Sequence, residues 1–171
     1  MTKNEFNTNI ISLKDKAYRF ARTLLKNNAD AEDTMQDIFE KLWINRNEIS
    51  NYKNTEAFVI QSVKNLCLDK LKHKKVILKH SANIVSTANE TSVEPDNENK
   101  EMSTIIKTII NNLPEKQRTI IHLRDIEGYE FNEIEEITGE SLNNVRVNLS
   151  RARATVKKNL LKKLNYGLSK N

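Results

Sequence analysis

The sequence contains 3 Gly and 2 Pro in 171 residues. Hairpins and sheet turns depend on those two residues, so their scarcity weighs against a β protein and for helices. A single cysteine, Cys67, excludes an internal disulfide. No Cys/His cluster has zinc spacing, so no metal is expected. No apolar run approaches the ~18 residues of a membrane span, and the opening "MTKNEFNTNI" lacks the apolar core of a signal peptide. A cytoplasmic protein without membrane insertion is expected. Ser/His/Asp and Cys/His constellations and phosphate-cradling Gly loops are also missing, so the chain reads as no enzyme and needs no cofactor. Asp33 and Asp37 share a helical face, but without a His or a matching second helix they are not a metal pair. The three histidines, His73, His80 and His122, lie in separate segments and read as surface polar residues.

Positive charge and helical periodicity are abundant. The net charge is +5, with 28 Lys and Arg against 23 Asp and Glu. Over residues 6–27, apolar residues at Phe6, Ile10, Leu13, Ala17, Ala21, Leu24 and Leu25 predict one amphipathic helix. "NNAD" breaks it, and Asp30 is placed to cap the next helix. Met35, Ile38, Phe39 and Leu42 form that helix's stripe. A third helix carries Val59, Val63, Leu66 and Cys67 on one face. Its end is basic: Lys64, Lys70, Lys72, Lys74, Lys75 and Lys79 face one acid, Asp69. Residues 81–100 are polar, with few large apolar side chains, and read as a flexible linker. Apolar spacing resumes at Met102, Ile105, Ile106, Ile109 and Leu113, and continues after Pro114 through Ile120, Leu123 and Ile126 to Gly128. The expected fold is all-α: two small helical domains, residues 1–80 and 101–171, joined by a flexible polar linker.

Near the end, Phe131, Ile134 and Ile137 mark a short helix. Gly139 makes a corner, Ser141 caps, and a long helix follows on Leu142, Val145, Leu149, Ala152, Val156, Leu160 and Leu164. This is helix-turn-helix spacing. The apolar stripe leaves Asn143, Asn144, Arg146, Val147, Ser150, Arg151 and Arg153 pointing outward. Asn can bond adenine, and Arg guanine, through two groups each. The helix N-terminus offers amides to a phosphate. From Arg146 to Lys163 the charged residues are all cations, while residues 115–140 are rich in acids. Localised positive charge of this kind suits DNA. The basic third helix, with Tyr52 and Phe58 at its start, suits unstacked single-stranded bases.

The ordered set of motifs resembles the extracytoplasmic-function sigma factors of bacterial RNA polymerase. The resemblance rests on "DAEDTMQDIFEKLW", "AFVIQSVKNLCLDKLKHKK" and "LPEKQRTIIHLRDIEGYEFNEIEEITGESLNNVRVNLSRAR", and covers nearly the whole chain. It implies that Asp33, Gln36, Asp37, Phe39 and Glu40 dock on the β′ clamp of core RNA polymerase. It implies that Tyr52, Phe58, Asn65, Asp69 and Lys72 hold the melted non-template strand of the −10 element. It further implies that the helix-turn-helix residues, Ser141 to Arg153, read the −35 element as duplex, and that an anti-sigma factor is a partner. The sequence departs from the family pattern in three places. Phe58 replaces the usual Trp. Glu130 replaces a Ser cap, leaving the short helix less well capped. Val147 and Asn148 replace Ser-Arg, which removes one expected cation.

The rival reading is a helix-turn-helix repressor or activator acting without polymerase. It accounts for the last helix but not for the basic third helix or the acidic face of the second. An enzyme or a ribosome-associated helical protein accounts for less.

Overall fold

The computed structural model describes residues 1–80 and 98–168, with side chains over 1–78 and 102–165. The expected linker, 81–100, falls almost wholly outside the described residues. Every regular element among them is helical: α1 (Lys3–Asn9), a 3₁₀ turn (Ile11–Leu13), α2 (Lys14–Leu25), α3 (Asn28–Ile44), α4 (Arg46–Ile49), α5 (Thr55–His80), α6 (Glu98–Asn111), α7 (Glu115–Ile121), a π turn (His122–Ile126), α8 (Phe131–Thr138) and α9 (Leu142–Leu168).

Local chemistry sets the boundaries. Thr2 and Glu5 form a capping box at α1, each side chain accepting from the other's backbone N–H. The single helix expected over residues 6–27 is instead broken at the 3₁₀ turn. This lets Ile10, fully buried, and Phe6 turn inward from a short separate helix. α2 ends at Lys26 in the left-handed region, φ 59°. Asn27, rather than the expected Asp30, caps α3: its Oδ1 accepts from the Asp30 N–H at 2.9 Å. "NNAD" holds several good cap formers, and only the entry geometry decides among them. Gly128 and Gly139 adopt φ 80° and 73°, as their places after helices require. Apart from its own chain neighbours, no atom lies within 4 Å of a Cβ built on Gly139. Gly139→Ala therefore costs only the left-handed backbone strain, roughly 1–2 kcal/mol.

α2, α3 and α5 pack around Phe20, Leu24, Ile38, Ile60 and Val63; α7, α8 and α9 pack around Ile120, Leu123, Ile134, Ile137, Val145 and Leu149. Each such burial contributes about 1.5–3 kcal/mol. Ile126 and Leu164, expected on apolar stripes, are exposed at 49% and 39%. Ile126 is carried outward by the π turn.

The two halves do not stand apart, and one buried cluster runs through both. α5 lies against α8, and α2 against α7 and the π turn. At the seam, Arg19 grips Glu127 through two hydrogen bonds, Nε to Oε1 at 2.9 Å and Nη2 to Oε2 at 2.7 Å. His122, read from sequence as a surface residue, is 2% exposed. Its ring packs on Phe20 with centroids 5.5 Å apart, and its Nδ1 lies 3.1 Å from the Thr23 hydroxyl. Its Nε2 sits 3.2 Å from Glu127 Oε1, close enough for attraction but off the axis of a hydrogen bond. Tyr129 donates to Glu56 Oε1 at 2.6 Å, as does Lys16 at the same distance. Lys64 donates to the carbonyls of Ile137 and Thr138 at 2.9 and 3.0 Å, and Gln61 to that of Glu136 at 3.1 Å. These are last-turn carbonyls of α8, which have no partner within their own helix. A cation there also favours the helix dipole.

Candidate nucleic-acid interface

The N-terminal site is built on α5. Tyr52 follows α4 and is half exposed; its ring stacks on Phe58 at 4.1 Å and 28°. Asn54 caps α5 by accepting from the Ala57 N–H at 3.0 Å, which fixes where Phe58 starts its turn. Phe58, Asn65, Asp69 and Lys72 recur at steps of seven, four and three residues and share one face of α5. Asn65, Asp69 and Lys72 are exposed and Phe58 is half-buried. The structure thus gathers the sequence-selected residues into a strip: an aromatic pair at one end, a cation at the other.

The lysine cluster is more divided than its sequence suggests. Lys70 pairs with Asp37 at 2.8 Å, and Lys74 pairs with Asp30. Lys64 is spent on α8, and burial pushes its pKa down. Lys72 and Lys75 are exposed and carry no ion pair among the described residues.

On α3, Asp33, Gln36, Asp37 and Glu40 share one exposed face at helical spacing. Phe39 is half-buried and packs against the core. The face is not purely acidic, because Asp37 is paired with Lys70. Sequence reasoning missed its apolar end: Ile44, 65% exposed, continues the stripe, and Trp43 beside it is held by Phe6, edge-on at 5.0 Å, and by Arg46 at 4.3 Å over the ring.

The C-terminal site is the helix-turn-helix. Asn143, Asn144, Arg146, Val147, Ser150, Arg151 and Arg153 are all exposed on α9, opposite the buried Val145, Leu149 and Ala152. Ser141 caps weakly, accepting from the Asn144 N–H at 3.4 Å. Glu135 of α8, unnoticed in the sequence, accepts from the Leu142 N–H at 3.1 Å. The amides expected to meet a phosphate are therefore partly taken by the protein's own groups. The start of α8 is better capped than its Glu130 suggested, because Glu133 accepts the Glu130 N–H at 2.8 Å. Arg153 is bound to Asp125 by two hydrogen bonds, at 2.9 and 2.6 Å. Val147 places an apolar side chain, 38% exposed, in the middle of this exposed face.

Charge at the seam is strongly perturbed. Burial pushes the Glu127 carboxyl up, but His122 and Arg19 outweigh it and hold the group down at about 2. Burial and the bond to Glu56 push the Tyr129 hydroxyl far above its ordinary value. Burial pushes the Cys67 thiol up to about 12, so it remains a protonated core residue without nucleophilic character. Among the described residues no helix is long and apolar enough to cross a membrane.

Two family models match in order: Sigma-70 region 2 over residues 10–76, and Sigma-70, region 4 over residues 103–156. The ECF RNA polymerase sigma factor SigW of Bacillus subtilis (strain 168) is 27% identical over 157 residues, covering 86% of this chain and 84% of that protein. The RNA polymerase sigma factor SigV of the same organism is 28% identical over 151 residues, covering 88% of each. Among solved structures, the sigma factor RpoE in complex with the anti-sigma factor NepR from Bartonella quintana superposes with a TM-score of 0.81 at 21% identity. That match spans 93% of this chain and 98% of that one. The region-2 match accounts for the half that a free-standing repressor leaves unexplained. The chain belongs to the sigma-70 family, as an alternative sigma factor of the extracytoplasmic-function type.

Proposed function

We propose that the two exposed strips divide the promoter between them. In this reading residues 1–80 dock core RNA polymerase and take the −10 element, 81–100 link, and 101–171 take the −35 element. Asp33, Gln36, Asp37, Phe39 and Glu40, extended by Ile44, meet the β′ clamp; an apolar end within a charged rim is the usual makeup of such an interface. Tyr52 and Phe58 stack unpaired bases of the non-template strand, with Asn65, Asp69 and Lys72 alongside. Ser141, Asn143, Asn144, Arg146, Val147, Ser150, Arg151 and Arg153 meet duplex −35 DNA. The protein works where core polymerase is, in the cytoplasm. Because RpoE of Bartonella quintana is held by an anti-sigma factor, a partner of that class is proposed here too.

The observation that carries the reading is the coexistence in one chain of a helix-turn-helix with an exposed Asn- and Arg-bearing face and a stacked aromatic pair at the start of a second basic helix. It also requires the halves to part. The −10 and −35 elements lie about 25 base pairs apart, on the order of 85 Å of B-form axis. A compact chain of this length has a radius of gyration of only about 15 Å. Transcription from a promoter fragment by core polymerase, with and without this protein, tests the reading. Initiation should need the protein, and a template pre-melted at −10 should lessen the defect of Tyr52→Ala. Equal initiation without the protein defeats the reading.

A further inference from the structure

We propose that Phe131 is a positioning residue for sequence readout: its ring holds the Arg146 guanidinium at the entrance to α9. This rests on α9 as the −35-reading helix and deepens that reading.

Two guanidinium groups share the Phe131 ring. Arg124 lies 4.8 Å from the ring centroid and Arg146 5.5 Å. Two like charges gather there only if something holds them. Arg124 is held otherwise: it donates to the Tyr129 carbonyl at 2.7 Å and pairs with Glu130 at 3.0 Å. Arg146 is not. It is exposed, and among the described residues its guanidinium has no hydrogen bond or ion pair. The ring face, with its negative quadrupole, is therefore its anchor.

The ring is itself well fixed. Phe131 is the first residue of α8, half-buried against the core, and the Glu133–Glu130 cap sets the backbone just before it. Arg reads guanine with a planar two-pronged fork, so discrimination depends on the plane being presented correctly. A fork already laid on a ring loses less rotamer freedom when it binds. An aliphatic side chain at residue 131 would fill the same space without orienting the fork.

The test uses holoenzyme and a set of promoters in which each −35 position is varied in turn. Arg146→Ala should abolish preference at one position. Phe131→Leu should weaken preference at that same position by roughly two- to fivefold, the range expected for an exposed cation–π contact. The double variant should be no worse there than Arg146→Ala alone. Phe131→Tyr should retain the preference. Stepwise fluorination of the Phe131 ring, which drains the quadrupole while conserving shape, should lower it in steps; this also serves if Phe131→Leu fails to fold. If Arg146→Ala loses the preference while Phe131→Leu and the fluorinated proteins keep it, the ring only packs and the proposal is overturned. A uniform loss across all −35 variants in Phe131→Leu overturns it likewise. If Arg146→Ala itself leaves base preference intact, the assigned role of Arg146 fails and this inference falls with it.

Discussion

Arg19 and Glu127 are 108 residues apart in sequence and joined by two hydrogen bonds of 2.9 and 2.7 Å. The Glu127 side chain is 2% exposed and that of Arg19 52%. One partner is thus sealed in the seam between the halves while the other stands in solvent. The π turn makes this possible. The Glu127 N–H reaches back to the His122 carbonyl at 3.0 Å, and the widened turn sets both side chains toward α2.

Arg19→Glu should open the molecule. It leaves a buried carboxylate facing a like charge, and breaking a buried pair costs about 3–5 kcal/mol. Since Arg19 is half in solvent, about 1–3 kcal/mol is expected. Small-angle scattering should show a larger radius of gyration, and binding to core polymerase should tighten, because less closure has to be undone. A particle as compact as wild type would show that the Lys64 and Glu56 contacts close the seam alone.

The same carboxylate gives the seam a pH dependence. Glu127 titrates near 4.5 when unpaired and at about 2 in the closed molecule. A depressed pKa stabilises the closed form above the unpaired value, and that contribution is lost as pH falls through the window from about 4.5 to about 2. Wild type and Glu127→Gln should differ in stability by on the order of 1–2 kcal/mol at neutral pH, after allowing for the solvent around Arg19. Denaturant melts in steps from pH 6 to pH 2 should see that gap close. A gap that stays constant, or widens toward acid, contradicts the assignment of the shift to this group.

The seam was the part least legible in the sequence. Amphipathic stripes report which face of a helix is buried but not which helix covers it, so α2 against the π turn left no pattern. His122 lies in "IIHL", an apolar run that hinted at burial, yet a histidine carries no mark of its partners. Lys64 and Lys70 look alike in sequence; one caps α8 and the other pairs with α3. By contrast, Gly139, Ser141 and the outward residues of α9 were legible. A left-handed corner and a helix seated on one stripe follow from local rules.

The docking face proposed on α3 should be separable from the fold. Asp37 pairs with Lys70, but both side chains are partly exposed, 50% and 30%, so losing the pair costs at most about 1 kcal/mol. Asp37→Lys with Glu40→Lys should therefore remain folded by circular dichroism. It should bind core polymerase at least about tenfold more weakly, since complementary charge governs encounter and specificity. Unchanged affinity in a fluorescence titration would move the docking site elsewhere.

Arg151 and Arg153 stand two residues apart on α9, and the structure distinguishes them. Arg151 is exposed with no ion pair among the described residues, whereas Arg153 already carries Asp125 as its counter-charge. A cation that meets a phosphate releases condensed counterions, and each such contact adds about 0.9 to the slope of log affinity against log salt. Arg151→Ala should therefore flatten that slope by about one for holoenzyme on any −35 sequence. Arg153→Ala should flatten it clearly less, because Asp125 already offsets its charge. Asp125→Asn should do the opposite of both: it frees Arg153 for a phosphate, steepens the slope and tightens binding at low salt. Titrations at several salt concentrations with two different −35 sequences separate these effects. Equal slopes for Arg151→Ala and Arg153→Ala would mean that Asp125 lets go when DNA arrives. Base preference altered by Arg151→Ala would mean that α9 enters the groove further along its length than its first two turns.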